Sequence, residues 1–299
     1  MPDKAVIDLG TNTFNLLIAR LNGHRFEIIH SEKEAVLLGM GGIHKGLLAE
    51  ESMQRGIDCL KRFKARCESH GVTEINAFGT AAIRESENAV AFLERCWEEV
   101  GIHIKIVSGL DEARMIYEGV RCSYDFSRRG LIMDIGGGST EFIFADRNGL
   151  RSSFSYKIGV SRIYQQMALN EPLDSKDVIM LTTWLEEQTT GFELETNPEL
   201  LIGASGSFET FYELIFKEEF EEKYEGVHLP MDRLLNVLDE LIYSSYEERM
   251  NNEFISVIRK KMIPIAALKT KWVIDKFQLK EAMVSPCSLK EGALWFELP

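Results

Sequence analysis

Apolar and polar positions along the chain follow two periods. Residues 5–7 form a short apolar run that ends in Asp8, and residues 14–21 form a second run after a Gly10-Thr-Asn-Thr turn. Runs of this length between turn residues predict strands, here a hairpin. Residues 26–30 predict a third strand. From residue 52 the spacing becomes helical. Met53, Ile57, Leu60 and Phe63 fall on one face of a helix running through Cys67, with Ser52 as its cap. Residues 75–78 predict a strand leading into Gly79-Thr80. Ser86 is placed to cap the next helix, whose Ala89, Val90, Leu93, Trp97 and Val100 are expected to face inward. A strand over 102–107 and a helix over about 110–120 follow. Strands mixed with helices in this order predict an α/β domain. The polar residues 124–130 read as a link between two halves.

The second half opens with another hairpin, residues 131–133 and 142–145. Ser175 is placed to cap a helix ending before Gly191. Residues 199–202 predict a strand into Gly203. Helices are expected over about 231–245 and 252–276, a short strand over 281–285, and a closing helix over 289–298. The acidic stretch 218–225 reads as a solvated helix face.

Between the two apolar runs of the second hairpin lies Asp134-Ile-Gly-Gly-Gly-Ser-Thr-Glu141. Gly136, Gly137 and Gly138 carry no Cβ, so an oxygen can approach their backbone closely. Successive backbone N–H groups make an anion-binding nest, and Ser139 and Thr140 add hydroxyls. Asp134 and Glu141 would repel a bare phosphate, but they suit a Mg²⁺ ion held beside one. A tight hairpin flanked by two chance acids would also read this way. The opening hairpin has the same layout: Asp8 matches Asp134, Gly10 matches Gly136, and Thr13 matches the Ser139/Thr140 pair. The chain therefore holds an internal repeat, and two matching halves would set two phosphate loops face to face across a cleft.

These paired loops resemble the phosphate loops of the actin-like superfamily of sugar kinases, chaperone ATPases and actin. Within it, the sequence is similar to the exopolyphosphatase/guanosine pentaphosphate phosphatase family. Four segments carry the likeness: Asp8-Leu-Gly-Thr-Asn-Thr-Phe-Asn-Leu-Leu, Gly79-Thr-Ala-Ala-Ile-Arg84-Glu, Ser108-Gly-Leu-Asp-Glu112-Ala-Arg-Met-Ile-Tyr, and the loop from Asp134 to Glu141. Gly203-Ala-Ser-Gly-Ser adds a weaker glycine motif. The likeness runs from residue 5 to about 210 and thins out beyond. Near the end, Pro286-Cys-Ser-Leu-Lys290-Glu-Gly292 replaces the family's Gly-Gly-Leu-Arg-Glu-Gly, so the arginine fork is lost while the charge is kept.

The resemblance implies two actin-like (ribonuclease H-like) α/β domains, each a mixed five-stranded sheet flanked by helices, with the active site between them. The expected division is 1–123 and 124–299, with the closing helix packing back on the first domain. It implies a hydrolase that releases the terminal phosphate of inorganic polyphosphate or guanosine pentaphosphate. Phosphate-binding roles fall to Gly10, Thr11, Asn12, Thr13, Arg84, Gly136, Gly137, Gly138, Ser139 and Thr140. Asp8, Asp134 and Glu141 fall to the Mg²⁺ ion, and Glu112 to the base that activates water. From the residues alone, Glu112 reads as a first-turn acid favoured by the helix dipole, and Arg84 reads equally as a phosphate clamp or a surface partner of Glu85 or Glu87. Family habit also points to a homodimer. Two rivals stay open. A kinase would need a separate aspartate base, for which no motif is found, and a non-catalytic sensor would bind the same anions and close its cleft.

Composition narrows these readings. At 299 residues the length suits two domains. A net charge of −13 argues against broad nucleic-acid binding. Any polyanion must also meet a local basic lining, with Arg84, Arg114, Lys157 and Arg162 as candidates, or arrive with Mg²⁺. The five cysteines are odd in number and lack ligand spacing, so they read as reduced thiols of a cytoplasmic protein. No apolar run approaches membrane-spanning length, and the first twenty residues hold no signal-like core.

Overall fold

The computed structural model describes residues 3–23, 25–221 and 225–296. Its first half begins with β1 (Asp3–Leu9), β2 (Thr13–Asn22) and β3 (Arg25–Ala35). Then come α1 (Glu50–Ser69), β4 (Ile75–Gly79), α2 (Ala81–Arg84), α3 (Ala89–Val100), β5 (Ile104–Ile106) and α4 (Gly109–Val120). The sheet order is β3-β2-β1-β4-β5. The two hairpin pairs are antiparallel, while β1–β4 and β4–β5 are parallel.

The second half repeats the plan. It runs β6 (Gly130–Ile135), β7 (Thr140–Asp146), β8 (Gly149–Tyr156), α5 (Val160–Gln166), α6 (Ser175–Gln188), β9 (Leu200–Gly203) and α7 (Gly206–Phe216). It ends with β10 (Val227–Leu229), α8 (Met231–Tyr243), α9 (Tyr246–Met250), α10 (Ile263–Phe277), β11 (Ala282–Val284) and α11 (Leu289–Gly292). The sheet order is β10-β11-β9-β6-β7-β8, so it has six described strands rather than the five expected. The extra strand, β10, is three residues on the antiparallel edge, too short to show a period in sequence.

Each sheet has a core of its own. Under the first, Met53, Ile57, Leu60 and Phe63 of α1 are buried as their spacing predicts. On α3 Ala89, Leu93 and Val100 face the core as expected, and the rest of the face is rotated. Phe92 and Cys96 point inward, while Val90 and Trp97 stay 64% and 50% exposed, and Trp97 stacks on His103. The cap assignments shift for local reasons. Ser86 Oγ donates to the Ala82 carbonyl and finishes α2, and Asn88 holds the backbone of Leu48 instead of capping α3. Asp174, not Ser175, caps α6. The long helix expected over 252–276 is broken, because α10 starts at Ile263 with Pro264 in its first turn, the place where a missing N–H costs nothing.

A third core lies between the sheets. It joins Val6 and Leu17 of the first sheet, Ile132 and Ile143 of the second, Ala113 and Ile116 of α4, and Leu289 of the closing segment. Here α4 and α11 touch backbone to backbone: a Cβ on Gly119 would sit 1.8 Å from the Ser288 carbonyl, and one on Gly292 1.8 Å from the Met115 carbonyl. The closing segment thus packs on α4. Its expected last residues, 297 and 298, lie outside the described residues. No described helix is long and apolar enough to cross a membrane.

Candidate active site

The two hairpins are built to one register. Asp8 pairs across its hairpin with Asn15, and Asp134 pairs with Glu141, seven residues on in each case. Both aspartates end a strand at the same cleft, and both turns follow at once. The cleft between the sheets is lined by Asp8, Gly10, Thr11, Asn12, Thr13, Glu112, Asp134, Gly136, Gly137, Gly138 and Ser139.

The turns meet each other. A Cβ on Gly137 would lie 2.9 Å from the Asn12 side chain, and one on Gly138 2.8 Å from Thr11 Oγ1. Only glycine fits there. Ser161, in the first turn of α5, donates to Asn12 Oδ1 at 2.5 Å and so ties the second hairpin's helix to the first hairpin's turn.

Backbone bonding shapes both turns alike. The Thr11 carbonyl accepts from the Gly39 amide, and the Asn12 carbonyl from Val36 and Leu37. The carbonyls of Gly136, Gly137 and Gly138 accept from residues 159–162. In a trans peptide the C=O and the next N–H point opposite ways. The amides of Gly137, Gly138 and Ser139 are therefore turned away from α5. Among the described residues, those three amides have no backbone acceptor. Such a set of convergent donors suits phosphate oxygens.

Acidity in the cleft is unusual. Asp8 Oδ2 accepts from Asn15 at 2.9 Å, but its Oδ1 is sealed from solvent with no hydrogen-bond partner among the described residues. Burial, opposed by Asn15 and reinforced by Glu112, pushes the Asp8 carboxyl up to about 7. Asp134 accepts from Ser288 Oγ at 3.0 Å, and burial with the nearby Glu112 and Asp8 charges pushes it to about 8. Glu112 sits in the first turn of α4, capped by Ser108. Burial raises it, while Arg84 beside it pulls the other way.

Several expected site residues take other places. Arg84 is not on the cleft wall: its Nη1 donates to Glu112 Oε2 at 2.7 Å and to the Val107 carbonyl at 3.0 Å. Its Nη2 also lies 3.9 Å from Glu85, the partner expected of a salt bridge, but its short contact is to the expected base. Thr140 is fully buried and its Oγ1 accepts from Lys269, behind the loop and away from the cleft. Glu141 is 1% exposed and accepts from Ser155 at 2.7 Å, covered by β8 and by the tight approach of Gly109 to Ser155. It forms part of the wall behind the residues that line the cleft. The expected basic lining is also corrected. Lys157 and Arg162 are both held by Glu85, and Arg114 points out beside Tyr117 and Glu118.

The cations that do line the cleft are Lys33, Arg259 and Lys290. Sequence reading named only Lys290. Lys33 donates to both oxygens of Glu209 at 3.0 and 3.1 Å, and Arg259 reaches the same carboxylate at 3.3 Å. Burial opposes it, yet the two cations hold Glu209 down at about 2. Lys33 is on β3 and Glu209 on α7, so this contact spans the cleft. Its partners are 176 residues apart, and no local signal could have joined them. Asn15 and Ser288 were also missed; Asn15 was visible as the residue opposite Asp8.

A Mg²⁺-like ion fits this donor set in one way. Among the described residues no three His, Cys, Asp or Glu side chains are grouped to cage a metal. Asp8 and Asp134, with the unpartnered Asp8 Oδ1 between strand and cleft, match an ion that keeps most ligands as water and phosphate oxygens.

Comparison with known proteins decides the lineage. A family model described as "Ppx/GppA phosphatase family" matches residues 17–299. The chain belongs to the Ppx/GppA phosphatase family. Its fold is similar to the crystal structure of an exopolyphosphatase from Cytophaga hutchinsonii, with a TM-score of 0.94, 32% identity, and coverage of 98% of this chain and 96% of that one. The Aquifex aeolicus Ppx/GppA family member follows at TM-score 0.82 and 25% identity, covering 98% and 96%. The actin-like α/β fold implied by the paired loops is thus the fold of this Ppx/GppA chain. Among curated relatives, a bifunctional 3-dehydroquinate synthase/phosphatase of Fusobacterium nucleatum is 31% identical over 97% of this chain and 46% of its own length. A guanosine-5'-triphosphate,3'-diphosphate pyrophosphatase of Aliivibrio fischeri is 32% identical over 74% and 45%. This Ppx/GppA chain spans about half the length of the curated relatives it matches.

Proposed function

We propose that the chain is an exopolyphosphatase that hydrolyses the terminal phosphoanhydride of inorganic polyphosphate and releases orthophosphate. The observation that carries this reading is the position of Glu112. A buried carboxylate in the first turn of α4 lines the same cleft as both glycine turns and both strand-end aspartates. A solved relative that matches in length as well as fold carries the exopolyphosphatase name.

The terminal phosphate rests against the amides of Gly137, Gly138 and Ser139 and the hydroxyls of Thr11 and Thr13. Glu112 takes a proton from a water molecule as its oxygen bonds to phosphorus. The bridging P–O bond breaks, and the shortened chain leaves with the electron pair on its oxygen. Burial raises the Glu112 carboxyl above the ordinary carboxyl range, in the direction that makes it a stronger base. A divalent cation held by Asp8 and Asp134 would offset charge on the phosphate oxygens. Lys33, Arg259 and Lys290 meet the remainder of the chain.

Guanosine pentaphosphate presents the same terminal group, and a relative is named for that substrate class. Phosphate release from medium-chain polyphosphate and from guanosine pentaphosphate, side by side with Mg²⁺, tests the choice. Faster release from polyphosphate is expected. Release from the nucleotide alone would move the assignment to that substrate, and tight binding of both without release would leave a sensor.

A further inference from the structure

We infer that Lys269 is a positioning residue that holds the second glycine turn in its anion-binding shape from behind. The inference rests on the phosphate role proposed for that turn. Lys269 lies on α10 and is fully buried. Its Nζ donates to Thr140 Oγ1 and, at 2.6 Å, to the Ile158 carbonyl.

Those two acceptors bracket the turn. Thr140 follows Ser139 directly, and Ile158 directly precedes Gly159. From there four successive amides, those of Gly159, Val160, Ser161 and Arg162, donate to the carbonyls of the three loop glycines. The fit is close: a Cβ on Gly159 would lie 2.3 Å from the Gly137 backbone. The turn and the start of α5 therefore form one unit whose two chain ends are bridged by one ammonium group, beside the long 3.5 Å bond from the Thr140 hydroxyl to the Ile158 carbonyl. If that tie is cut, the two ends of the unit lose their common anchor, and the direction shared by the amides of Gly137, Gly138 and Ser139 loosens.

A core role alone does not account for a lysine here. Burying an ammonium carries a desolvation cost of several kcal/mol, and apolar residues of similar volume often serve stability as well or better. α10 already packs through Ala267, Val273 and Phe277. Burial lowers the Lys269 ammonium to about 7, and Glu141 and Asp134, on the strands either side of the turn, oppose that shift.

Lys269→Met keeps the volume and removes the donors. The test reads inorganic tripolyphosphate binding by calorimetry in a Glu112→Gln background, so the probe is not consumed, with hydrogen exchange at residues 136–139 alongside. Lys269→Met should melt cooperatively, exchange faster at those amides, and bind the probe about tenfold more weakly. In the turnover-competent chain, KM should rise while the pH profile stays in place, because Glu112 is untouched. Should Lys269→Met fail to fold, Thr140→Val removes one acceptor and keeps the ammonium, and about a threefold weakening is expected. Wild-type affinity and wild-type exchange in either folded variant would overturn the inference. If the parent protein binds no tripolyphosphate, the proposed function fails, and the exchange rates of residues 136–139 still decide whether Lys269 orders the turn.

Discussion

Arg84 Nη1 lies 2.7 Å from Glu112 Oε2, so the residue expected to clamp phosphate instead holds the residue expected to activate water. The pair is only slightly exposed, at 18% and 9% of the side chains, and Arg84 is also fixed by the Val107 carbonyl. Burial raises the pKa of Glu112, and Arg84 pulls it back down. Removing Arg84 leaves Glu112 protonated to higher pH. In Arg84→Met the acid limb of the kcat/KM profile should therefore move to higher pH. Glu112→Gln should lose activity by about 10² or more with binding kept. An acid limb unmoved in Arg84→Met would mean that Glu112 is not the group it reports.

Much of this site was legible because it is local. Asp8, the Gly10 turn, Asp134 and the triple glycine announce themselves by strand, acid and glycine in order, and the repeat of that order implied a shared cleft. Side-chain direction was not legible. Thr140 and Glu141 alternate across β7 in ways that depend on Lys269 and Ser155, neither of which is near in sequence. Charges were legible as counts but not as pairs. Glu85 takes Lys157 and Arg162 out of the cleft, while Lys33 enters it from β3.

Asp8 and Asp134 have folded-state values of about 7 and 8, against an ordinary carboxyl near 3.8. A raised carboxyl binds a proton more firmly in the folded state. Its contribution is fully present below the unfolded value and is lost as pH rises through the folded one. Without metal, Tm should fall steadily as pH rises from about 4 to about 8. Asp8→Asn should flatten that fall. Mg²⁺ should reverse it, since a cation favours the charged carboxylates. Melting curves in chelator and in Mg²⁺ check this without any substrate. A flat profile in chelator would show that these carboxyls ionise freely in the folded protein.

Lys33 and Arg259 share one carboxylate, Glu209, across the cleft. A polyanion entering the cleft would compete with Glu209 for both cations. Lys33 is 40% exposed, so its attraction is screened by salt. Lys33→Ala should raise KM for long phosphate chains by about threefold to tenfold with kcat little changed. The effect should shrink as ionic strength rises. Initial rates at two salt concentrations read both, and a fall in kcat alone would place Lys33 in the chemical step.

Gly119 and Gly292 let α4 and α11 meet at their backbones. An added methyl on Gly292 would stand 1.8 Å from the Met115 carbonyl and 2.7 Å from the Gly119 amide. Backbone on both sides cannot give way as a flexible side chain can, so the helices must separate. Gly292→Ala should cost about 3 kcal/mol or more in urea unfolding, against the gain of about 1 kcal/mol that alanine brings to an unconstrained helix. The strain also has a direction. α4 carries Glu112 in its first turn, and α11 follows Ser288, which holds Asp134. Gly292→Ala that still folds should therefore lower kcat as well as stability. A methyl on exposed Gly71, which meets nothing within 4 Å but sits at φ +70°, should cost stability alone. Equal kcat in the two variants would show that the α4–α11 contact supports the fold without setting the site.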